Sequence, residues 1–109
     1  MAEPQLTDVF GPGATQTATT LTISKADLAT VGLSASATNS AESLVVALLL
    51  LAQKYLSDEN QALNPDIQIT ITQSFDSLVT RNNTTYRQRS YSIEMQRPDA
   101  SAAINPNDY

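Results

Sequence analysis

Asp66-Ile67-Gln68-Ile69-Thr70-Ile71-Thr72 alternates strictly, with three isoleucines on one side and polar residues on the other. That period of two is the mark of a half-buried strand. The pattern continues more loosely through Phe75 and Val79. It meets Asn82-Asn83, residues that tolerate the positive φ of a tight turn. From Tyr86 to Arg97 the alternation resumes, with Tyr91, Ile93 and Met95 on one face. The stretch from 67 to 97 therefore reads as a long hairpin. A two-residue loop at Asn82-Asn83 would set Ile71 opposite Glu94. A three-residue loop would set it opposite Met95, and Phe75 opposite Tyr91. Register follows the apolar pattern, which favours the longer loop or a bulge.

Upstream lies the strongest helical signal. Asn39 has the chemistry of an N-cap, and Glu42 stands three residues on, as a capping box requires. Leu44, Leu48, Leu51 and Tyr55 form one stripe. Val45, Leu49, Ala52 and Leu56 widen it, and Val46 and Leu50 lie on the far side. The helix is expected over about 40–56. Its middle is apolar all round, whereas a surface helix needs one apolar face. It is expected to be covered on most sides, by its own sheet or by another subunit.

The remaining elements are weaker. Residues 15–24 are rich in threonine and read as a strand, with Leu21 and Ile23 alternating against Thr20, Thr22 and Ser24. Ser24 is placed to cap a short helix through Lys25–Leu28 that ends near Gly32. Residues 57–66 read as a polar connection stopped by Pro65. At the N-terminal end, Pro4, Gly11, Pro12 and Gly13 argue for an extended arm over 1–14. At the C-terminal end, Pro98, Asn105, Pro106 and Asn107 argue for another over 98–109. The expected fold is α+β: one long helix on a small antiparallel sheet, a single domain over 15–97 flanked by two arms.

Composition excludes much chemistry. The 109 residues contain no histidine, cysteine or tryptophan. The commonest general base, metal ligand and thiolate nucleophile are absent. No Ser-x-x-Lys and no glycine-rich phosphate loop is present; Gly11-Pro12-Gly13 lacks the strand and helix such a loop joins. Asp58 and Glu59 are adjacent carboxylates, and neighbours in sequence rarely converge on one ligand. The expectation is a protein with no catalytic residues, cofactor, metal or small-molecule substrate. Met1-Ala2-Glu3-Pro4 lacks the basic and apolar regions of a signal peptide. The longest apolar run, Leu44–Ala52, is nine residues against about 20 for a membrane span.

Net charge is −5, which disfavours phosphate backbones and anionic lipid. The charge is uneven. Residues 1–66 hold two bases against seven acids; residues 67–109 hold four arginines against four acids. Arg81, Arg87, Arg89 and Arg97 stand among Tyr86 and Tyr91. Arginine and tyrosine are typical anchors of protein interfaces, and on strands they also serve single-stranded nucleic acid. Leu6, Phe10, Arg81, Arg87, Arg89, Tyr91 and Tyr109 are the expected partner-contacting residues.

Several stretches also resemble a known group of proteins. They are Pro4-Gln-Leu-Thr-Asp-Val-Phe-Gly11, Thr20-Leu-Thr-Ile-Ser-Lys-Ala-Asp-Leu28, Asn39 with Ala41–Leu44, Asn64-Pro-Asp66 and the final Asp108-Tyr109. Together they resemble small capsid cement or decoration proteins of cyanobacterial tailed phages. The resemblance implies a virion structural protein on the capsid surface, made in the host cytoplasm. It further implies a homodimer that locks neighbouring major capsid protein subunits together; the expectation of no membrane and no nucleic-acid partner comes from the acidic charge and the short apolar run. A neck or tail component of the virion is the alternative in the same class. An accessory nucleic-acid module using the arginine hairpin is the alternative outside it.

Overall fold

The computed structural model describes residues 3–98 and 103–109. In chain order it contains α1 (Leu6–Phe10), β1 (Thr15–Gln16), β2 (Leu21–Thr22), α2 (Lys25–Leu28), α3 (Ala41–Tyr55), α4 (Asp58–Leu63), β3 (Ile69–Gln73), β4 (Ser77–Arg81), β5 (Thr84–Gln88) and β6 (Tyr91–Met95). Short 3-10 turns follow α2 and close the chain at Pro106–Asp108. The class is α+β, with one long helix and small antiparallel sheets. There are three two-stranded sheets among the described residues, pairing β1 with β2, β3 with β6 and β4 with β5.

The core has two parts, both built on α3. Leu28, Ala47 and Leu51 form the first, with Ile23, Val31, Leu33, Leu44 and Leu48 around them. Leu56, Ile67 and Ile71 form the second, joined by Val9, Leu49, Ala52, Tyr55, Ile69 and Tyr91. The isoleucine face of β3 thus packs under the C-terminal half of α3, as the alternation requires. The helix does not end in water: Leu56 is buried, and its carbonyl accepts the Ile71 N–H at 2.9 Å. No helix among the described residues is long and apolar enough to cross a membrane.

Several expectations need correction. The cap of α3 is Ser40, not Asn39: the Ser40 Oγ accepts the Ser43 N–H at 3.1 Å. Asn39 instead closes the turn before the helix, accepting the Ser36 N–H and donating to the Ser34 carbonyl. Both residues have capping chemistry, and the one already used by the turn cannot cap. The 57–66 connection contains α4, where Ser57 accepts the Asn60 N–H and Asp58 and Glu59 occupy the first turn, favourable for the helix dipole. The single strand expected over 15–24 is broken. The Thr17 Oγ1 accepts the N–H groups of Thr19 and Thr20, turning the chain back into a two-residue ladder on each side.

The N-terminal segment is not extended where it is described. The Asp8 carboxylate accepts the Gln5 N–H at 2.9 Å, the Gln5 backbone carbonyl accepts the Asp8 N–H at 3.0 Å, and Gly11 at φ 96° ends the helix. Val9 then packs into the second core cluster. Asp27 fixes the loop behind it by accepting the Gly13 N–H at 2.8 Å. The C-terminal segment also turns back: Arg97 pairs with Asp108. Residues 1–2 of the first expected arm and 99–102 of the second lie outside the described residues.

The turn at Asn82-Asn83 is the two-residue one, with both residues at positive φ (51° and 62°). Arg81 accordingly faces Thr84, and Ser77 faces Gln88. Beyond it the register shifts by one. Ser74 donates to the Ser90 carbonyl at 2.8 Å, and Ile71 faces Ile93. Phe75 and Asp76 therefore oppose the single residue Arg89, which is a β-bulge. The bulge replaces the Ile71–Glu94 pairing that the turn alone would impose. It also rules out the Ile71–Met95 and Phe75–Tyr91 pairs of a three-residue loop.

Candidate protein-binding surface

The β4–β5 ribbon stands away from the body. Every residue of both strands is exposed, so neither face is packed against the core among the described residues. The radius of gyration is 16.2 Å, against about 13 Å for a compact domain of this length, and the projecting ribbon contributes to that excess.

Its side chains sort by register, since cross-strand partners share a face. Val79 faces Tyr86, and Arg81 faces Thr84 on the same side. There the Arg81 guanidinium lies 4.5 Å from the centre of the Tyr86 ring, a cation–π contact. Leu78 faces Arg87 on the opposite side. At the bulge, Arg89 lies 3.9 Å from the Asp76 carboxylate, a loose and exposed pair of small energetic weight. The four arginines thus do not make one cluster. Three are distributed over two faces and the foot of the ribbon. Arg97 lies beyond β6, paired with Asp108.

Phe75 was not among the expected contact residues, yet it is 92% exposed. Leu78 is also largely exposed. The signal available in the sequence was the loosening of the alternation after Thr72: a phenylalanine between Ser74 and Asp76 has no apolar neighbour at strand spacing.

Phe10 and Tyr109, two expected contact residues far apart in sequence, meet in one place. They wall an open cleft of about 410 Å³ with Val9, Ala52, Leu56 and Ile69, and the polar Glu3 and Gln68 line it too. The Tyr109 hydroxyl lies 3.5 Å from the Met95 carbonyl oxygen, a long contact that still orients the ring. Leu6 is half-buried on α1. Tyr91 packs on the second core cluster and is only partly available to a partner.

The helix expected to be covered on most sides is bare along part of its length. Val45 and Val46 are more than half exposed. Val46 and Leu50 line a second cleft, of about 530 Å³, against residues 31–34. Among the described residues, no three acidic side chains gather as they would around a metal ion. No family model, curated protein or solved structure matches the chain.

Proposed function

We propose that this chain is a virion structural protein, a capsid cement or decoration protein that bridges major capsid protein subunits by burying surface against them. The observation that supports this best is the bare ribbon of β4 and β5. A two-stranded hairpin with no packed face is marginal in water. It gains most from a surface that covers it. Its arginines, Tyr86 and Leu78 are the residue types expected to anchor such a contact. The 67–97 hairpin would act as one arm, with its foot on the core and its tip on the partner. The exposed Val45–Val46 face of α3 suits a two-fold contact between copies, where one patch meets itself.

The reading takes its phage context from the stretches around Leu6–Gly11, Thr20–Leu28 and Asn39–Leu44. The ribbon also suggests nucleic acid, because aromatic and arginine side chains alternate on it. Against that, Arg81 is engaged with Tyr86, Arg89 with Asp76 and Arg97 with Asp108, and the net charge is −5.

Quantitative mass spectrometry of purified particles is the test. A cement protein should occur at every capsomer, and its removal should lower the temperature at which heads release DNA. A single ring of copies would assign it to the neck or tail instead. Absence from particles, together with salt-dependent binding of single-stranded DNA, would overturn the proposal.

A further inference from the structure

We propose that the cleft between Phe10 and Tyr109 receives Phe75 from a second copy of this chain. The two features are complementary. Phe75 is 92% exposed in the bulge at the foot of the ribbon. An aromatic ring gains by burying roughly 150–250 Å², and none of the described residues offers that to Phe75. The cleft is open, walled by apolar side chains and, at about 410 Å³, roomy enough for one ring with its neighbours.

A chain cannot seat its own Phe75. Ile69 is part of the cleft wall, and Phe75 lies six residues further along the same extended segment. At about 3.3 Å per residue the two are roughly 20 Å apart. Closing that distance would require unzipping β3 from β6.

Charge favours the same pairing. Residues 75–89 hold Arg81, Arg87 and Arg89 against Asp76, whereas residues 1–66 hold two bases against seven acids. The bulge sets Arg89 opposite Phe75 and Asp76, with Arg89 only loosely and openly paired to Asp76, and Glu3 is one of the residues lining the cleft. The opposite signs make ribbon against body the electrostatically complementary arrangement. The contact joins two unlike surfaces. Seated reciprocally about a two-fold axis it is isologous and closes a pair; seated one way it is heterologous and extends a row. It leaves the Arg81–Tyr86 tip for another partner and stands independently of the capsid reading.

The test is sedimentation velocity of the full chain from micromolar to submillimolar concentration, with two variants. Wild type should associate. Phe75→Ser removes the knob and should weaken association about 30-fold or more. At concentrations where both chains are monomeric its thermal midpoint should equal that of wild type, because Phe75 is exposed in the free chain. Ala52→Met fills the cleft and should weaken association similarly. Mixed together, the two variants should form a one-to-one pair, since each keeps the half that the other lacks. A wild-type chain that stays monomeric throughout overturns the proposal. So does association of Phe75→Ser as tight as wild type. Failure of the mixture to pair, with both variants folded by circular dichroism, overturns it as well.

Discussion

Two five-residue antiparallel ladders lie end to end in this molecule, and only one of them is part of the core. In the β3–β6 ladder, Ile71 is 6% exposed, and Ile67 just before it is 1% exposed. In the β4–β5 ladder every residue is exposed. Both contain β-branched and aromatic residues at strand spacing. The difference is the helix above. The C-terminal part of α3, from Leu49 to Leu56, packs on Ile67, Ile69 and Ile71, while its N-terminal part packs on residues 23–33. Neither part covers the second ladder, whose strands are exposed throughout, and the bulge at Phe75-Asp76 marks the border. A strand's apolar residues are buried only where another element reaches them.

That contrast can be broken from either side. The largest effect is expected from Ile67→Ala, which opens a cavity beneath α3. Urea unfolding should show a loss of about 2–5 kcal/mol. A loss under about 1 kcal/mol would mean that the ladder is not anchored as described. Next comes Gly11→Ala, at the joint that brings α1 onto the body. Gly11 has φ 96°, and an added Cβ would lie 2.7 Å from Asp27. A loss of about 1–3 kcal/mol is expected from the backbone conformation alone, read from the same denaturation curve.

Ser40→Ala should cost about 1 kcal/mol by removing the cap of the helix that makes the difference between the ladders. Reduced helical signal in circular dichroism should accompany it. At the bare ladder, Leu78→Ser should stay within about 0.5 kcal/mol of wild type. A larger loss in the isolated chain would show that the ribbon packs on something in its own body, and would remove the basis for reading it as a binding arm.

Much of the local structure was legible in the residues. Ser24 with Lys25–Leu28 and the closing Gly32 appear where helix-capping chemistry places them. Asn82-Asn83 makes the turn because asparagine tolerates two successive positive φ values. The body of α3 follows the leucine stripe. Where two residues had the same chemistry, sequence could not choose. Asn39 and Ser40 both cap, and the turn at 34–39 claimed the first. Short elements were lost for a different reason: α1 and α4 are five and six residues long. They owe their existence to Val9 docking on the core and to the Gln61 side chain donating to the Ile67 carbonyl at 2.9 Å. Of the expected contact residues, Arg81, Arg87 and Arg89 are exposed on or beside the ribbon, while Tyr91 is half-buried against the core.

By itself, the sequence determined the α+β class, the long helix, the turn at Asn82-Asn83 and the division between an acidic first part and an arginine-bearing second part. These depend on backbone preference, side-chain periodicity and formal charge, which are local. Only the tertiary structure decided which apolar residues are covered, how Phe10 comes to face Tyr109 across a cleft, and that Phe75 is left in water. Those outcomes depend on which distant elements reach each ladder once the chain is folded, and no single stretch of sequence holds that information.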